Sequence, residues 1–226
     1  MSNTSNETAE KGSKFWMQKI VNEITYTKKF EEIFGAKLIF LSPLKIESYK
    51  EYQLKESKIF SNALGLTKTE FETNFSFWAN NQPHWDAIAT SNDEKILYLF
   101  EAKAHLKELN SKISTTNKNS IEKITNSMQK VFEKISDGTT ADFKIWTEKY
   151  YQLGNRFTFL YNMNQMHFPK IQRTILILLN IIDDETYIST SQEEWQQHYE
   201  KVFLEMTGKN YPPENVNIIY FDGKLT

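Results

Sequence analysis

The chain has 226 residues, no cysteine and a formal net charge of −2, from 27 Lys and Arg against 29 Asp and Glu. Without cysteine there is no disulfide framework, no thiolate nucleophile and no zinc site built on sulfur. No stretch approaches the ~18 apolar residues of a membrane span, and with only 7 Gly neither G-x-G-x-x-G nor G-x-x-x-x-G-K-[ST] occurs, which excludes the glycine-rich phosphate loops.

Residues 1–13 are polar, lack the apolar core of a signal peptide and read as a disordered tail. Residues 14–226 then form one domain, and a cytoplasmic protein is expected. Apolar residues at helical spacing predict a helix over Lys14–Phe34, closed by Gly35. Lys37–Leu41 is β-prone. A second helix is expected over Ile46–Leu64, ended by Gly65. A third opens at Thr67, where Glu70 completes a capping box. After the turn at Asn80–Pro83, His84–Thr90 and Ile96–Ala104 read as a hairpin. A long polar helix over Leu106–Ile135 and an aromatic helix over Asp142–His167 follow. Arg173–Ile182 is nearly all apolar, as in a central strand covered on both faces. A helix over Gln192–Met206 and a strand over Val216–Phe221 close the chain. The order predicts an α/β fold with a mixed sheet flanked by helices.

The hairpin concentrates the chemistry. Side chains alternate along a strand, so Glu101, Lys103 and His105 project to one side, and strand pairing brings Asp86 near Glu101. Two adjacent carboxylates stay ionised together only around a cation. Oxygen ligands suit Mg²⁺ or Mn²⁺, which activates phosphodiester hydrolysis. Lys103 is then placed to orient water or offset phosphorane charge. His105 either contacts phosphate and moves a proton or caps the next helix.

Asp/Glu-x-Lys alone is weak, since it starts at Glu56, Asp93, Glu101, Asp142 and Asp222 where chance gives about three. Only Glu101 combines an apolar strand, a preceding hairpin aspartate and a following helix. Gln152, Asn155 and Arg156 share one helix face, beside a core stripe of Trp146, Tyr150, Leu153, Phe157 and Leu160. Only two of the cations, Arg156 and Arg173, are arginine. An arginine kept in so lysine-rich a chain suggests planar bidentate pairing, with Glu101, with Glu51 or with a phosphate. Trp85 and Tyr151 are either core residues or base-stacking ones. Lysines dominate 103–134 and acids dominate 183–205, as two solvated faces or as a polyanion-facing side and a far side.

This arrangement resembles the PD-(D/E)XK, or restriction-endonuclease-like, nuclease superfamily. It is similar in particular to a largely uncharacterised prokaryotic family of that fold. The residues concerned are Ser42-Pro43-Leu44 with Tyr49, Glu51 and Tyr52, Trp85-Asp86-Ala87, Glu101-Ala102-Lys103-Ala104-His105 with Glu108, and Tyr151-Gln152 with Asn155-Arg156. The resemblance implies an α-β-β-β-α-β core and Mg²⁺-dependent (or Mn²⁺-dependent) cleavage of nucleic acid, above all DNA. It makes Asp86 and Glu101 metal ligands, Lys103 the catalytic lysine and Glu51, expected on a helix, an accessory metal ligand. Gln152, Asn155 and Arg156 become substrate-binding candidates. Many enzymes of this fold dimerise, so a homodimer is one expectation. The proline that precedes the aspartate in the superfamily is replaced by Trp85. The alternative is an inactive protein of this fold that binds nucleic acid or a protein partner.

Overall fold

Two helices rather than one open the chain in the computed structural model, which describes residues 8–56, 58–138 and 140–225. Residues 1–7 of the expected tail lie outside the described residues. The tail ends earlier than residue 13, because Ala9 N–H donates to Gln18 Oε1 (2.9 Å) and Gly12 N–H to Thr186 Oγ1 (3.0 Å). α1 (Gly12–Asn22) stops at Glu23, whose backbone is extended, and α2 (Ile24–Phe34) restarts beyond it. α2 ends as expected at Gly35, in the left-handed region at φ 79°, where glycine carries no Cβ penalty.

β1 (Leu38–Ser42) follows. The helix expected over Ile46–Leu64 is not one element. Ser48 and Tyr49 both take positive φ, 54° and 58°, which is incompatible with a right-handed helix. The chain turns there, forms β2 (Tyr52–Gln53), and becomes α-helical only in α3 (Lys58–Leu64). Glu51 therefore lies just before β2 and not on a helix. α4 (Lys68–Asn74) carries the expected capping box, with Thr67 N–H donating to Glu70 Oε2 at 2.8 Å.

The first hairpin strand is split at Asp86 into β3 (His84–Trp85) and β4 (Ala87–Ser91). β3 pairs with β2, and β4 pairs with β5 (Ile96–Lys103). The long helix begins only at Lys118, as α5 (Lys118–Ile135), capped by Asn117. The aromatic helix is two, α6 (Phe143–Glu148) and α7 (Tyr151–Gln165). One contact explains both differences. Ser111 inserts its backbone at the α6–α7 junction, donating to the Lys149 carbonyl (2.7 Å) and accepting from Tyr151 N–H (3.1 Å). Those groups thus find partners outside a helical ladder, as buried backbone must. β6 (Arg173–Ile182), α8 (Gln192–Thr207) and β7 (Val216–Asp222) complete the chain.

The main sheet runs β1-β4-β5-β6-β7. β1, β4 and β5 are antiparallel neighbours, while β5, β6 and β7 are parallel. Tyr98, Phe100, Ala102, Ile177 and Leu179 face α1 and α2, around Trp16 and Phe30. Leu97, Leu99, Leu176 and Leu178 face the other layer, with Phe157 of α7 and Trp195 of α8. This α/β/α sandwich covers β6 on both sides, as its unbroken apolar run anticipates. Among the described residues no helix is long and apolar enough to cross a membrane.

Candidate active site

Strand alternation places Glu101 and Lys103 in line with Leu97 and Leu99, on the α7 side of the sheet. The β4–β5 register pairs Ala87 with Phe100. Continued by one residue it sets Asp86 opposite Glu101, and Asp86 N–H still donates to the Phe100 carbonyl (3.2 Å). The break between β3 and β4 thus lies where this carboxylate leaves the sheet. Asp86 Oδ2 accepts from Ala102 N–H at 2.7 Å, which fixes the side chain beside Glu101.

Glu101 is buried, 2% exposed, and both its oxygens are held. Lys103 Nζ lies 2.5 Å from Oε1, and Arg156 Nε and Nη2 each lie 2.5 Å from Oε2. Arg156 also donates to Asn155 Oδ1 (3.0 Å) and to the His84 carbonyl (2.7 Å). Its guanidinium stands 4.4 Å from the centre of the Trp85 ring. Lys103 further donates to Gln152 Oε1 at 3.2 Å. The i, i+3, i+4 face of α7 therefore grips the carboxylate–lysine pair directly. Arg156 holds Glu101, Asn155 holds Arg156, and Gln152 holds Lys103. Of the three partners considered for Arg156, the structure pairs it with Glu101.

The charges do not cancel locally. Burial alone would raise the Glu101 carboxyl, but Arg156 and Lys103 outweigh it and hold the pKa below the ordinary value. Burial likewise opposes the Lys103 ammonium, yet Glu101 and Asp86 keep its pKa raised. Asp86 has weaker compensation. Burial first, and then the neighbouring Glu101 charge, push it up to about 7 against the help of Lys103. Burial also raises Glu51, which lies 3.8 Å from Lys14.

These groups line one cleft of about 400 Å³, together with Gln53, Gln82, His84 and Tyr151. Glu51, Asp86, Glu101, Lys103, Gln152, Asn155 and Arg156 all reach it. His105 does not line it. It follows the end of β5, pairs with Glu108 (3.3 Å) and packs against Tyr187. It occupies the N-cap position of the turn Leu106–Leu109 without a capping hydrogen bond from its side chain. Trp85 is fully buried and is a core residue. The other Asp/Glu-x-Lys sites are dispersed: Asp93 sits in a turn, Asp142 caps α6 and Asp222 ends β7. The wall formed by β2, β3 and the chain before them was not foreseen. Its one sequence signal is the Asn80–Pro83 turn, which places Gln82 and His84.

The donor chemistry fits a hard cation. Asp86, Glu101 and Glu51 offer only oxygen, the set that suits Mg²⁺ or Mn²⁺. Among the described residues no three acidic or histidine side chains form a ready-made cage. Mg²⁺ does not need one, because it keeps waters and takes one or two carboxylates with substrate phosphates. Arg156 takes both lone pairs of Oε2 and Lys103 one of Oε1, so Oε1 keeps a lone pair with which Glu101 can ligate. The Asp86 pKa is raised first by burial and then by Glu101, and a cation beside it would favour the ionised form. No family model, no curated protein and no solved structure matches the chain.

Proposed function

We propose that the chain is a metal-dependent phosphodiesterase acting on nucleic acid, with DNA as the first substrate to test. The observation that carries this reading is the placement of Asp86 opposite Glu101 where the β4–β5 register is continued by one residue, with Lys103 two residues beyond on the same face. The order α2, β1, β4, β5, α7, β6 follows an α-β-β-β-α-β core, which supports a restriction-endonuclease-like fold.

In this reading Asp86 and Glu101 would hold Mg²⁺ or Mn²⁺, with Glu51 as an accessory donor. When bound, the metal polarises a phosphodiester oxygen and makes water a better nucleophile. Lys103 stands at the cleft with three donors, one engaged by Glu101 and one by Gln152. It orients the attacking water and offsets charge on the phosphorane. Arg156 acts as a positioning residue: its fork fixes the Glu101 carboxylate, and its stacking on Trp85 fixes the fork. Tyr151 and Gln152 remain on the cleft wall to meet the substrate. A homodimer would bring two such sites to two strands.

One observation favours a second reading, a nuclease-fold protein that binds without cutting. Both Glu101 oxygens are already held by cations, so the site is complete as an ion cluster. Isothermal titration with Mn²⁺ on the full chain separates the two. The nuclease reading expects saturable binding that Asp86→Asn abolishes. No binding by the wild-type protein overturns it.

A further inference from the structure

Beside the cleft a second groove of about 610 Å³ opens between α3, α4 and α5. Its floor is apolar, built from Phe71, Phe75 and Trp78, and its rim carries Lys55, Lys58, Lys68 and Lys123. All four lysines are exposed. Among the described residues lining it the one carboxylate is Glu72, which is 3.8 Å from Lys68. Lys55, Lys58 and Lys123 make no ion pair among the described residues. The groove and the cleft share Trp78, Ala79 and Gln82 as a common wall, so the two lie side by side.

We infer that this groove carries a single strand of nucleic acid whose phosphodiester enters the cleft. The inference rests on the cleft being a phosphodiester site. A rim of four exposed lysines against one carboxylate among the described residues, over an apolar floor, suits a strand that lays phosphates on cations and bases on carbon. The protein as a whole is slightly acidic, so this positive rim is a local feature and not a general surface property. A single strand fits better than a duplex because the reaction centre is recessed. Glu101 is 2% exposed and Lys103 is 7% exposed. A duplex is stiff over about 150 base pairs, whereas a single strand bends to follow a groove into a recessed site.

The test measures fluorescence anisotropy of a fluorescein-labelled oligonucleotide, single-stranded or duplex, with the full chain in EDTA. The wild type should bind the single strand more tightly than the duplex. Lys58→Glu/Lys123→Glu should weaken single-strand binding at least tenfold. At about 0.7 per phosphate contact, it should lower the slope of log affinity against log salt by about 1.4. Lys28→Glu/Lys37→Glu makes the same charge change on the far side of the sheet and should shift affinity less than twofold. Equal losses in the two double variants, or tighter binding of the duplex, would overturn the inference. Hydrolysis of bis(p-nitrophenyl) phosphate with Mn²⁺ is measured in parallel and should be unchanged in Lys58→Glu/Lys123→Glu. Groove-dependent binding with no hydrolysis by the wild type would uphold the groove and overturn the cutting.

Discussion

Replacing Asp86 with Asn should change how stability depends on pH, because Asp86 lacks a full complement of positive charge. Its carboxyl rises from an ordinary 3.8 to about 7 in the fold, through burial and then through Glu101. The unfolded chain releases this proton near pH 4, whereas the folded chain keeps it to about 7. Across that window the folded state binds more protons, so stability falls as pH rises. At about 1.36 kcal/mol per pH unit the full displacement is about 4 kcal/mol. Asp86 opens partly onto the cleft, where water screens it, so about 2–3 kcal/mol should be measurable. Asn keeps an oxygen for Ala102 N–H and removes the charge. Urea unfolding of both proteins between pH 5 and pH 8, without metal, measures the difference. His198, whose pKa burial lowers, contributes stability that is lost below the ordinary histidine range. It does so in both proteins and drops out of the comparison. The variant should gain on the wild type from pH 5 to about pH 7 and level off above it. Parallel profiles would refute the claim that Asp86 is an uncompensated carboxylate.

Other substitutions probe the supports of the site. Arg156→Ala strips Glu101 of a buried partner and should cost about 3–5 kcal/mol, read by urea unfolding; Arg156→Lys should recover only part, because it cannot reproduce the fork. Lys103→Ala should lower cleavage at least ~100-fold while Mn²⁺ still binds by titration calorimetry. Tyr199→Phe leaves Asn180 Oδ1 without its 2.9 Å donor and should cost about 1–2 kcal/mol in thermal or urea unfolding with no effect on metal binding.

The placement of Glu101, Lys103 and Asp86 was legible because two local rules suffice for it. Alternation sets Glu101 and Lys103 on one face, and the hairpin register brings Asp86 across. Arg156 was legible through its rarity and its spacing from Gln152, although its partner was decided by tertiary packing. Helix ends written in local chemistry, at Gly35 and at Thr67–Glu70, also agree with the sequence. The errors arise where distant backbone intervenes. Ser111 splits the aromatic helix from 38 residues away, and no periodicity within that helix announces it. Glu51 was misplaced because the apolar spacing of Ile46–Leu64 resembles a helix, while the turn at Ser48 and Tyr49 has no glycine to mark it. His105 continues the strand pattern on paper, yet β5 ends at Lys103 and the chain turns.

The central claim concerns Asp86, Glu101 and Lys103 acting together on a phosphodiester. Incubating the wild type, Asp86→Asn and Lys103→Ala with single- and double-stranded DNA and RNA, with Mg²⁺, Mn²⁺ or EDTA, tests it most directly. Cleavage by the wild type with either metal, abolished by EDTA and by both substitutions, is the predicted result. No cleavage of any substrate, or cleavage that survives in both variants, would contradict it.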